Sequence, residues 1–194
     1  MRRQGLALGI VVLWLAGCIP YWTELYYEPS APGGTLHTIP RCPGPSNALQ
    51  FAIGDVTVGV GAHYRGGRLS ASMWFGVPQD HIVRLLGSQM LLRLGDGHDA
   101  ITGQFEKVLV TARRSPLPTI AADARMVGAS TPVIEGSSRL ASQGFVTNTS
   151  FDVPEPETFT LITPRLSVDG TATALPEVRF TRKRHRYVMA PINC

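Results

Sequence analysis

From Asp55 onward the chain alternates apolar and polar positions with a period of two. Val56, Val58 and Val60 fall on one face of the run to Tyr64, and Thr57, Gly59 and Gly61 on the other. After Arg65-Gly66-Gly67 a second run sets Leu69, Ala71, Met73 and Phe75 against Ser70, Ser72 and Trp74. Two alternating runs joined through Gly-Gly predict a β-hairpin. Further strands are expected at Ile82–Leu86, Gln89–Leu94, Phe105–Ala112, Phe145–Val153, Thr158–Ile162, Arg165–Val168, Pro176–Arg182 and Tyr187–Ala190. Only residues 119 to 127, with Ala121, Ala122 and Ala124, suggest a short helix.

A faint repeat runs through these strands. Phe75, Val77 and Pro78 lead to Leu85-Leu86, Met90 and Leu92; with the same spacing Phe151, Val153 and Pro154 lead to Leu161-Ile162, Leu166 and Val168. Both series then reach an Asp-Gly turn, Asp96-Gly97 and Asp169-Gly170. Short alternating strands with frequent turn signals predict an all-β chain, a single antiparallel β-sandwich of immunoglobulin-like general architecture over residues 49–194. Each half is too small for a core of its own, so two pseudo-repeated halves of one domain are preferred to two domains. Chance matching in a chain rich in Val, Pro and Leu is the alternative.

Composition agrees with this. Charged residues are 16% of the chain, against 20 Gly and 15 Pro, a balance that favours strands and turns over helices.

The first residues have a different character. Arg2 and Arg3 precede a mostly apolar stretch from Gly5 to Leu15, followed by Leu15-Ala16-Gly17-Cys18. The apolar run of about 11 residues is short for a bilayer core that needs roughly 20, and the order is that of an export signal. Leu15-Ala16-Gly17-Cys18 resembles the lipobox of bacterial lipoproteins. The resemblance covers the first 18 residues. It implies that residues 1–17 are removed and that Cys18 becomes the first residue, carrying a diacylglyceryl group on sulfur and an acyl group on its amine. Two or three chains hold firmly where one holds weakly, at ~0.8 kcal/mol per buried methylene. Ile19 stands where an aspartate would favour inner-membrane retention in enterobacterial lipoproteins, so outer-membrane placement facing the periplasm is expected. Loss of Arg2 and Arg3 lowers the formal charge from +4 to +2, which gives no reason to expect a nucleic-acid partner.

Of the three cysteines, Cys42 and Cys194 remain. An oxidising compartment lets them close a disulfide, stabilising by about 5 kcal/mol on the chain-entropy model. Free thiols or a bridge to another chain are the alternatives. Residues 18–48 read as the lipidated cysteine and a Pro/Gly-rich tether, broken by Pro20, Pro29, Pro32, Pro40, Pro43 and Pro45. Its aromatic group, Tyr21, Trp22, Tyr26 and Tyr27, suits either a membrane headgroup layer or packing onto the domain.

Candidate chemistry is sparse. There is no Gly-x-Ser-x-Gly, no Ser-x-x-Lys, no His-Glu-x-x-His and no Gly-rich phosphate loop. Asp96, His98 and Asp99, with Asp80-His81 upstream, are the weak metal candidates, and their Asp-Gly setting equally suits a turn. A carboxylate pair for glycosidic chemistry can be drawn from Asp152, Glu155 and Glu157, which crowd around Pro154 and Pro156 in a stretch that reads as a solvated loop. No cofactor is expected. The densest charge is Arg179, Arg182, Lys183, Arg184, His185 and Arg186. If the flanking runs pair, Lys183–Arg186 form a basic hairpin tip. Arg182, Lys183, Arg184 and Arg186 are then the candidates for contact with an anionic envelope polymer or an acidic protein patch. The expectation is therefore a lipid-anchored binding or structural module. A hydrolase of cell-wall or outer-membrane glycans and a subunit of an envelope assembly or secretion machine stand as rivals.

Overall fold

The computed structural model describes residues 21–38, 44–95, 97, 99–105, 108–110, 125–127 and 142–188. These residues form strands β1 (Tyr21–Ser30), β2 (Thr35–Leu36), β3 (Ala48–Ile53), β4 (Val56–Arg65), β5 (Arg68–Pro78), β6 (Ile82–Leu85), β7 (Gln89–Leu94) and β8 (Ala100–Gln104). The remainder are β9 (Val108–Val110), β10 (Arg125–Val127), β11 (Ser142–Phe151), β12 (Thr158–Ile162), β13 (Leu166–Val168), β14 (Thr171–Thr173) and β15 (Val178–Val188). The fold is all-β, as the alternation predicts. Three sheets, none closed into a barrel, run β1-β15-β12-β7-β8, β10-β6-β13-β14 and β2-β3-β4-β5-β11-β9.

The predicted β4–β5 hairpin is present. Gly66 and Gly67 have φ of 60° and 82°, the backbone a two-residue turn with positive φ at both central positions requires. Leu69, Ala71, Met73, Phe75 and Val77 on β5 are all buried, as are Val56, Val58 and Val60 on β4. A single apolar cluster joins the inner faces of all three sheets, with Met126 of β10, Leu85 of β6 and Leu166 of β13 entering from the four-stranded one. Phe159 and Phe180 stack in its middle with ring centres 4.9 Å apart, and Tyr27 meets Phe159 edge-on at 5.0 Å. The five- and six-stranded sheets meet face to face. At Gly103 on β8 an added Cβ would lie 2.6 Å from the Phe151 ring of β11, so only glycine allows the two sheets to approach there.

Three expectations are corrected, and one open alternative is decided. The tether is in part structure: Tyr21–Ser30 is a ten-residue strand paired along its whole length with β15, and Ala48–Ile53 is a strand as well. Pro29 is tolerated because β1 is an edge strand, where a missing N–H need not break a ladder. Tyr27 settles the aromatic alternatives for itself, since it is buried in the core. The expected helix over 119–127 gives way at its described end to β10, which pairs with β6; residues 119 to 124 lie outside the described set. Lastly, no hairpin tip falls at Lys183–Arg186: Val178 to Val188 is one continuous strand. Cys18, Cys42, Cys194, Asp96 and His98 also lie outside the described residues.

The two series of the repeat interlock. Phe75 of β5 pairs with Phe145, and Phe151 of β11 with Leu69, so these equivalent strands pair with each other. β6 pairs with β13 and β7 with β12, each with the other half's non-equivalent strand. The orders β8-β7-β12 and β14-β13-β6 are thus related by the repeat.

Candidate functional site

β15 passes from the core into a projecting ribbon. Its first residues lie between β1 and β12, but pairing to β12 ends at Thr181. Lys183 to Val188 pair only with Tyr26 to Tyr21, among the described residues. Six such pairs extend about 20 Å. Register fixes which residues share a face: Arg184 lies opposite Leu25 and Arg186 opposite Thr23, while Lys183 lies opposite Tyr26 and His185 opposite Glu24. Tyr26 and His185 also meet edge-on, ring centres 6.4 Å apart.

The four basic candidates therefore separate. Arg182 belongs to the sandwich: its guanidinium contacts Glu157 through Nε at 3.2 Å and again through Nη2, and Glu155 through Nη1 at 3.3 Å. Lys183 lies 4.0 Å from Glu28. Arg184 and Arg186 are exposed on one face of the ribbon, beside the exposed Leu25.

Where the ribbon leaves the sandwich, it overhangs the end of β4. A cleft of about 420 Å³ opens there, lined by Glu24, Leu25 and Tyr27 on β1, by His63, Tyr64 and Arg65 on β4, and by Glu155. Tyr27 donates a hydrogen bond to the Pro156 carbonyl at 2.8 Å, and Tyr64 donates to that of Val153 at 3.3 Å. Burial pushes the Tyr27 phenol up to about 12, with Glu155 adding to the effect, so it is a fixed donor and not a base. Sequence reasoning misses this cleft. Its lining comes from strands far apart in the chain, and neither His63 nor Tyr64 has a local partner that would mark it.

The carboxylates considered for glycosidic chemistry are committed to arginines. Asp152 takes a two-pronged contact from Arg68, at 2.6 and 3.2 Å, which holds its carboxyl below the usual carboxylate range. Glu155 and Glu157 share Arg182. A glycosidic acid needs the opposite perturbation, a raised carboxyl.

Asp80-His81 also departs from the metal arrangement. His81 Nδ1 lies 2.7 Å from Asp169, and its Nε2 lies 3.9 Å from Asp55. The other Asp169 oxygen accepts the Ile82 N–H at 2.8 Å. Asp99 is exposed. No group of three or more His, Cys, Asp or Glu placed to hold a metal ion occurs among the described residues.

No helix among the described residues is long and apolar enough to cross a membrane. No family model matches the chain, and no curated protein matches it.

Proposed function

We propose that this chain is a lipid-anchored envelope protein. On this reading it is held through Cys18 on the outer membrane, faces the periplasm, and acts by binding an envelope protein or an anionic envelope polymer. One observation carries the reading: β1 begins three residues after Cys18 and is paired from its first residue with β15. Three residues span at most about 11 Å. An anchored Cys18 would then hold the sandwich close to the bilayer through a paired ribbon, where a flexible tether would let it range widely. Such an arrangement suits a module that presents a partner at a set height. The commitment of Asp152, Glu155 and Glu157 to Arg68 and Arg182 favours binding over glycan hydrolysis.

Palmitate labelling of cells making the full-length chain tests the anchor. Label on the wild type and none on Cys18→Ala, with the variant leaving the membrane fraction, is the expected result; equal label on both overturns it. Crosslinking in intact cells tests the binding role. Partners captured by the wild type and lost with Cys18→Ala support it, and an anchored chain that captures nothing counts against it.

A further inference from the structure

We propose that the outer face of the four-stranded sheet, β10-β6-β13-β14, docks an acidic segment of a partner protein that also carries apolar side chains. That the partner is an envelope protein rests on the reading above; the surface itself does not.

Register assembles a cationic face here. Val83, Leu85, Met126 and Leu166 are buried in the core, so Ile82, Arg84, Leu86, Arg125, Val127 and Arg165 fall on the outward side of their strands. Arg125 lies directly opposite Arg84 on the neighbouring strand. Arg165 lies opposite Leu86, one diagonal step from Arg84. Opposed residues on antiparallel strands are about 5 Å apart and diagonal ones about 7–8 Å, so three arginines share a small area. All three are exposed, and among the described residues none has an ion-pair partner. The acid bordering this face is Asp169, and it is already taken by His81 and the Ile82 N–H. Like charges set directly opposite each other destabilise a sheet. A carboxylate between them would remove that cost, and the planar guanidinium fork matches a carboxylate through two N–H donors.

Apolar contacts lie within reach of the same charges. Leu86 and Val127 are 45% and 46% exposed. Leu86 lines two clefts. One, of about 380 Å³, also has Ile82, Arg84, Ser167 and Asp169 in its wall; the other, of about 420 Å³, has Leu91, Ile162, Pro164 and Arg165. The second lies where both halves of the chain pass from one sheet to another, with Gly87 beside Pro164. Each cleft thus sets an arginine beside apolar walls. A phosphate polymer would satisfy the arginines and leave the apolar walls wet. A polypeptide carrying carboxylates and apolar side chains satisfies both.

The test places a photo-crosslinking amino acid at Leu86 of the full-length chain, in the cells that natively make it, and at the exposed Leu36 as the remote site. Mass spectrometry identifies what is attached. A partner protein joined through a segment rich in Asp and Glu, from Leu86 and not from Leu36, is expected. A synthetic peptide of that segment should then bind purified residues 18–194 carrying Cys18→Ser, more weakly as salt rises. Arg84→Gln with Arg125→Gln should weaken that binding about tenfold or more. Arg184→Gln, which removes one charge from the ribbon, should change nothing. The double substitution should leave the thermal midpoint unchanged or raise it, because it removes two opposed like charges; a lower midpoint would give these arginines a structural partner and overturn the proposal. Lipid or polymer attached in place of protein overturns it, as do a segment without acids, no adduct at Leu86, and peptide binding indifferent to the double substitution. Failure of the anchor reading is seen separately, as absence of palmitate from Cys18 while the Leu86 adduct still forms.

Discussion

Thr147 is fully buried on β11, paired with Met73 on β5 and Val108 on β9. Its hydroxyl has no hydrogen-bond partner among the described residues. An unsatisfied buried hydroxyl costs about 1–3 kcal/mol, and valine has nearly the same shape. Thr147→Val should raise unfolding stability by about 1 kcal/mol, read as a higher denaturant midpoint at constant slope. A lower midpoint would show that the hydroxyl is satisfied. Residues of this kind mark how far the sequence could be read. Alternation places Trp74 on the outer face, opposite the core, and that is correct. What it cannot convey is why Gly59 accompanies it. In the structure Trp74 pairs with Gly59, and a Cβ added there would stand 1.8 Å from the indole. The glycine is the seat of the ring, visible only once the register of two strands is known.

At the scale of elements, local partners made the chain legible and distant ones did not. The β4–β5 hairpin carries its own turn and both faces in one short stretch. β1 and β15 lie more than a hundred residues apart, and each lacks an apolar alternation once outside the core. β1 therefore reads as a tether, and the charged half of β15 reads as a turn. Three turns also meet in a way the sequence hides: His81 reaches Asp169 from the β13–β14 turn and Asp55 from the β3–β4 turn. The hydrogen bond to Asp169 raises the His81 pKa above its ordinary 6.5. A group whose folded pKa is raised stabilises the fold fully below its unfolded pKa and loses that effect as pH rises through the folded value. Asp169 is depressed below 3.8, first by the Ile82 N–H and then by His81, so its contribution is full above 3.8 and is lost as pH falls through the lowered value. The joint contribution is therefore greatest between these limits. Melting temperature should fall as pH rises past 6.5, and His81→Gln should flatten that slope while leaving the fold intact. An unchanged slope in the variant would assign the pH dependence to another group.

The whole molecule is organised by the crossing of its two halves. Under the repeat, Leu85 corresponds to Leu161 and Met90 to Leu166. The pairing of Leu85 with Leu166 therefore has as its counterpart Met90 with Leu161, and Leu161 is found opposite Leu92, two residues on. A two-residue offset keeps every side chain on its face, so both halves can share one core despite the slip. The faint spacing match in the sequence thus has a physical correlate in which strands pair. Which strands would exchange was hidden, because exchange is a property of register between distant segments. The consequence for folding is strong. Without residues 111–194, β6 loses both of its neighbours, β7 keeps only β8, β1 loses β15, and nine of the 27 described residues of the apolar cluster are gone. Two-stranded remnants of this kind are marginal in water. Residues 19–110 and 111–194, made separately, should each lack a cooperative thermal transition, whereas mixing or co-expressing them should restore one. Calorimetry decides between this and independent halves. A cooperative transition in either fragment alone would mean that a half can bury its own core, and the crossed pairing would then be a later docking of two folded units.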